Sequence, residues 1–78
     1  MMEVDTFVLE NGVEYIEVDK LIYDNNTYVL LSNIKNVKDS CIRKLVIEDN
    51  KKYLYKINSN NEFETVLNLF MEKNKTLF

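Results

Sequence analysis

Phe7-Val8-Leu9-Glu10-Asn11-Gly12-Val13-Glu14-Tyr15-Ile16-Glu17-Val18 is the stretch on which the fold turns. Two runs of aliphatic, aromatic and β-branched residues flank Asn-Gly, a pair that supplies the two positive φ angles of a type I′ turn, so the stretch reads as a β-hairpin. A two-residue loop sets Glu10 opposite Val13, Leu9 opposite Glu14 and Phe7 opposite Ile16. In that register Phe7, Leu9, Ile16 and Val18 share the core face. Val8, Val13 and Tyr15 then lie on the other face with Glu10 and Glu17, a mixed surface that is partly wet or touches a partner.

Two further hairpins follow. Leu21-Ile22-Tyr23 and Tyr28-Val29-Leu30-Leu31 are joined by Asp24-Asn25-Asn26-Thr27, in which Asn25 and Asn26 tolerate the left-handed region. With those two as the loop, Tyr23 faces Tyr28 and Ile22 faces Val29. These strands are apolar on both faces, as expected in the middle of a sheet covered on each side. Residues 32 to 40 are polar, with Ile34 and Val37 as isolated apolar anchors, and read as a loop or a single turn, the stretch expected to be most mobile. Ile42 to Glu48 and Lys52 to Ile57, separated by Asp49-Asn50-Lys51, form the third hairpin.

Ser59-Asn60-Asn61-Glu62 fits a capping box, with the Ser hydroxyl accepting from the Glu62 amide and the Glu62 carboxylate reaching back. Phe63, Val66, Leu67 and Phe70 recur at i, i+3, i+4 and i+7, an apolar stripe widened by Leu69 and Met71. This helix ends near Asn74, where Lys73 opposes the negative end of the dipole. Thr76-Leu77-Phe78 is a short apolar tail. The fold class is therefore α+β: an antiparallel meander sheet of about five strands, three hairpins in sequence, with one C-terminal amphipathic helix packed on one face.

Length and composition bound the function. Seventy-eight residues make one domain, spanning 1–78, because two halves of such a chain could not each bury enough apolar area. With 46% hydrophobic residues, one Gly and no Pro, the chain folds and is not disordered. The chain has one cysteine and no histidine, so an internal disulfide is impossible, and zinc or nucleophile–base chemistry is disfavoured. Cys41 reads as a small buried hydrophobe, although Arg43 and Lys44 beside it could sensitise the thiol. No Gly-rich phosphate loop, catalytic set, metal set or cofactor motif is present. Glu62 and Glu64 serve the helix dipole. Without a signal sequence or a run of about 20 apolar residues, the expected location is the cytoplasm, with no membrane contact. The abundance of Asn, Lys, Ile and Tyr reflects an AT-rich genome.

The net charge of −3 is unevenly spread: −6 over residues 1–24, +4 over residues 25–60 and −1 in the tail. The simplest reading is that the two patches compensate one another within the fold. Arg43, Lys44, Lys52 and Lys56, with Lys51, surround Tyr53 and Tyr55, a combination able to contact an anion or a nucleic-acid backbone. An acidic pI of about 4.9 and a single Arg argue against nucleic acid.

Tyr15, Tyr23, Tyr28, Tyr53 and Tyr55 are the expected partner surface, since tyrosine combines apolar area with a polar tip. Five strands at about 4.8 Å make a sheet roughly 24 Å wide, and one helix covers about 10–12 Å of it. Either the sheet curls on itself or a companion covers it. A bacterial protein-interaction module, homodimeric through its sheet or bound to another protein, is the leading expectation. A nucleic-acid or anionic-ligand binder acting through the basic third hairpin, or a small phage-encoded or mobile-element inhibitor using the acidic hairpin, stands as the alternative. An enzyme is not expected.

Glu10-Asn11-Gly12, the segment Ile22 to Leu31, and the ending Ile57 to Val66 with Glu62-Phe63-Glu64-Thr65-Val66 together resemble the small bacterial YrzB-like family of unknown function. An acidic-Gly hairpin, a strand ending in Tyr-aliphatic-Leu and a closing Glu-Phe-Glu-x-Val helix recur there. The resemblance spans nearly the whole chain and implies no activity and no site residues. Members are typically acidic where this chain has Ser32 to Lys44, so a shared partner is not implied.

Overall fold

The computed structural model describes residues 6–36 and 38–74. Five antiparallel strands, β1 (Thr6–Val8), β2 (Glu14–Tyr23), β3 (Asn26–Asn33), β4 (Ser40–Glu48) and β5 (Lys51–Tyr55), are followed by one helix, α1 (Asn60–Lys73). The strands lie in sequence order as a single meander. The expected α+β architecture is present.

The turns differ from their sequence reading in an instructive way. Asn-Gly does not form the type I′ turn. Gly12 is left-handed at φ 75° and no left-handed angle occurs at Asn11. The Gly12 amide donates to the Leu9 carbonyl and the Leu9 amide donates to the Val13 carbonyl. This is a three-residue loop ending in a glycine bulge. The register becomes Phe7 opposite Tyr15 and Val8 opposite Glu14, one step from the expected one, which reverses the faces. Tyr15 and Val13 turn into the core with Phe7 and Leu9, while Val8 and Val18 are exposed.

The two-residue type I′ turns belong instead to Asp24-Asn25 and Asp49-Asn50, whose four φ angles lie between 51° and 65°. Asp and Asn tolerate that region through local hydrogen bonding of short polar side chains. Tyr28 consequently pairs with Leu21, and Val29 with Lys20. That slip of two residues from the expected register leaves the faces intact.

β2 carries an irregularity between Glu17 and Asp19, with Val18 as the extra residue. A bulge of this kind bends its strand and steepens the local twist. The sheet curls accordingly. Leu9 and Tyr15 from the first hairpin meet Val29, Leu31 and Leu45 in a concave core, with Phe7, Val13, Cys41 and Leu54 packed around them. The opposite face supplies Tyr28, Leu30 and Ile42, which pack against Val66 and Phe70 of α1. Tyr28 to Ser32 of β3 are all buried, so both faces of the central strand are covered by the chain's own residues. Of the two expected ways to cover it, the sheet uses curling.

The helix starts as read. Ser59 is its N-cap, with Oγ accepting from the Glu62 amide at 3.3 Å. The Glu62 carboxylate does not serve the cap; it engages Tyr28 and Lys44 instead. At the other end, Lys73 Nζ bonds Asp19 Oδ1 at 2.8 Å and the Lys20 carbonyl at 2.7 Å, and Asn74 Nδ2 bonds Asp19 Oδ2 at 2.7 Å. One end of α1 is thereby fastened to β2 and the other to β3 and β4.

The connection from β3 to β4, read from sequence as a loop or a single turn, is held together by backbone hydrogen bonds. The Asn33 amide donates to the Asp39 carbonyl, the Asn36 amide to the Asn33 carbonyl and the Asp39 amide to the Asn36 carbonyl. Asn33 and Asn36 side chains accept from the Lys35 and Lys38 amides, the short-range pattern in which Asn mimics a backbone turn. Val37 and the tail Thr76-Leu77-Phe78 lie outside the described residues.

Candidate functional site

The five tyrosines separate into two groups. Tyr15 (3% exposed) and Tyr28 (1% exposed) are core residues, which corrects their assignment to a partner surface. The first was misplaced by the one-residue register error. The second stands beneath the start of α1, a position that sequence spacing within the strand does not reveal.

Each buried tyrosine sends its hydroxyl to a distant carboxylate. Tyr15 Oη donates to Asp39 Oδ2 at 2.8 Å and accepts from Asn11 Nδ2 at 3.3 Å. Asp39 also accepts from Asn33 Nδ2 at 3.1 Å. Donation from Asn11 favours the phenolate, but Asp39 and burial oppose it, and the Tyr15 pKa is raised. Tyr28 donates to Glu62 Oε2, which also holds Lys44 Nζ at 2.9 Å. The Lys44 ammonium lies 5.8 Å from the Tyr28 ring centroid, within cation–π range. Burial and then the Glu62 carboxylate push Tyr28 up to about 12. In return, the Tyr28 hydroxyl and Lys44 hold Glu62 below the ordinary glutamate value.

Tyr23, Tyr53 and Tyr55 are exposed and share the helix-bearing face. The pairs Leu21–Tyr28, Tyr28–Lys44 and Lys44–Tyr55 form one continuous cross-strand row. The pairs Tyr23–Asn26 and Val46–Tyr53 mark the next row toward the hairpin tips. Cross-strand partners project to the same side and alternate residues project to opposite sides, so the three tyrosines gather on one surface. Beside them, Tyr23, Asp24, Asn26, Lys44, Asn61 and Glu62 line a polar hollow of about 340 Å³. On the opposite, concave side, Ile22 and Ile47 stay exposed around a hollow of about 320 Å³ with Thr27, Leu45 and Lys20.

The basic residues named as an anion contact are not assembled into one. Arg43 and Lys44 are neighbours in β4 and project to opposite faces. Arg43 Nη2 pairs with Glu10 Oε1 at 3.1 Å on the concave side, while Lys44 pairs with Glu62. Lys56 Nζ reaches the same Glu10 oxygen at 3.3 Å, and Lys52 stands opposite Ile47. A backbone hydrogen bond, Lys56 and Arg43 together hold the Glu10 carboxyl below its usual value. Asp19 is also lowered: burial works against this, but Lys73, Asn74 and the Lys20 amide outweigh it. Glu10 of the acidic first segment thus answers Arg43 and Lys56 of the basic middle, whereas Asp19 and Lys44 find their partners in α1.

Cys41 packs against the concave core. Burial pushes its thiol pKa up, with Arg43 opposing and Asp39 and Glu10 reinforcing the shift. That environment disfavours a reactive thiolate. Among the described residues no group of three or more His, Cys, Asp or Glu is arranged to hold a metal ion. No helix among them is long and apolar enough to cross a membrane. The chain matches no family model, no curated protein and no solved structure.

Proposed function

We propose that this chain is a protein-interaction module that associates with a second copy of itself through the outer face bearing Tyr23, Tyr53 and Tyr55. The observation that carries the reading is the placement of these three exposed tyrosines in adjoining cross-strand rows beyond the helix. The same surface holds Asp24 and Glu62 with Lys44, so it offers both charge signs to a copy of itself. A twofold interface requires such self-complementarity.

Because the sheet shields its own central strand, association is not needed to complete the core. Three tyrosines supply about 450–750 Å² per partner at most, at or below the about 800 Å² of a standard interface. The dimer is therefore expected to be weak and concentration-dependent. Light scattering coupled to size exclusion should show mass rising through the micromolar range. Tyr23→Ala with Tyr55→Ala should abolish the rise without lowering the unfolding midpoint. A monomer at every concentration, with the substitutions having no effect, would overturn this reading.

The cytoplasm is the proposed compartment, supported by a lone cysteine whose side chain is free. Membership of the YrzB-like family is likewise proposed, on the sequence motifs alone.

A further inference from the structure

We infer that the gap between β1 and β5 receives an extended segment of another protein as a sixth strand, antiparallel to both of its neighbours. The two strands are the ends of the sheet, and no backbone hydrogen bond among the described residues joins them. Curling nevertheless brings them side by side. Phe7, Val8, Leu9 and Glu10 stand on one side of a hollow of about 310 Å³, with Lys52, Tyr53 and Leu54 on the other. Glu10 reaches Lys56 across one end.

Topology says what fits. Successive antiparallel pairings through five strands leave β1 and β5 running in the same direction. Closing one on the other would make a parallel pair in an otherwise antiparallel sheet. A sixth strand running the opposite way would pair antiparallel with each and restore the even alternation of an up-and-down barrel. Edge strands present unpaired amides and carbonyls, and an extended backbone is the partner that satisfies them.

Side chains refine the choice. Phe7, Leu9 and Leu54 face or flank the concave core, whereas Val8 and Tyr53 are exposed. The occupant should therefore carry apolar residues at alternate positions, pointing inward, over about five residues. The edge strands of a folded copy cannot provide it, because β1 and β5 are already bonded along one side. The inserted segment must be free along both sides, as a tail or loop is.

The test starts from a displayed library of random ten-residue peptides selected on the intact protein. The selected peptide is labelled and its binding followed by fluorescence anisotropy. N-methylation at every odd backbone position removes the donors facing one edge, and methylation at every even position removes those facing the other. Insertion between two edges requires that either set weaken binding by about tenfold or more. Loss with one set alone would mean addition to a single edge, and loss with neither would mean docking by side chains; both overturn the inference, as does a library yielding no binder. Tyr23→Ala and Tyr55→Ala, which test the dimer surface, should leave peptide affinity unchanged, so the two proposals fail separately.

Discussion

The two faces of β3 are buried by different means. On the concave side Val29 and Leu31 are covered by the sheet's own curl, which brings Leu9 and Tyr15 onto Leu45. On the convex side Tyr28 and Leu30 are covered by α1 through Val66 and Phe70. Each core holds one tyrosine that reaches a carboxylate far along the chain, Asp39 for Tyr15 and Glu62 for Tyr28. The difference is one of redundancy. The convex core depends on a single added helix, while the concave core depends on several local distortions that each contribute bending.

The largest effects should come from emptying either core. Phe70 is fully buried, so Phe70→Ala should cost about 3–5 kcal/mol, and Leu31→Ala on the other face about 2–5 kcal/mol. A domain of this size holds only about 3–5 kcal/mol from a single core, so both variants should be largely unfolded by far-UV circular dichroism at 25 °C. If Phe70→Ala lost only its helical signal and kept the sheet, the two faces would be separate cooperative units.

Tyr28→Phe removes a buried hydrogen bond to a carboxylate and should cost about 1–2 kcal/mol in urea unfolding. Its titration points the same way. With a folded pKa of about 12, above the ordinary phenol value of about 10, the stability contribution is complete below pH ~10 and is lost as pH rises through about 12. The alkaline fall in the urea midpoint should flatten in Tyr28→Phe. Glu62, Glu10 and Asp19 behave oppositely, because their folded values are lowered. Their contribution is complete above the ordinary carboxylate range and is lost as pH falls through the folded values. Glu62→Gln should reduce the acid-side slope of the same midpoint.

Gly12→Ala tests the turn that helps set the concave face. No atom stands within 4 Å of the added methyl, so the penalty is the left-handed backbone alone, about 1 kcal/mol. Tyr15→Phe should give the smallest change, because Asp39 keeps its bond from Asn33 and stands exposed. A Tyr15→Phe loss as large as that of Tyr28→Phe would mean that the β3–β4 connection is as important to stability as the helix.

Much was legible in residue order. The unbroken apolar runs Leu21 to Tyr23 and Tyr28 to Leu31, the β-branched and aromatic run through β4 and β5, the Ser59 cap and the stripe Phe63, Val66, Leu67, Phe70 specify strands and one helix through local propensity and periodicity. Part of the charge compensation was legible too, since Glu10 of the first segment answers Arg43 and Lys56 of the middle one. The turns were not. Asn-Gly, Asp24-Asn25 and Asp49-Asn50 are all compatible with two-residue loops, and nothing within the first hairpin selects the bulged loop over the tight one.

Local sequence therefore determined which elements form and which of their residues are apolar. Tertiary structure alone decided the register of the first hairpin, and with it whether Tyr15 faced water or core. It also decided how the doubly apolar central strand was covered. Register and curl are settled by burial summed over contacts distant in sequence, Leu9 with Leu45 and Tyr28 with Val66 and Phe70, and a nearest-neighbour pattern carries no information about such pairs.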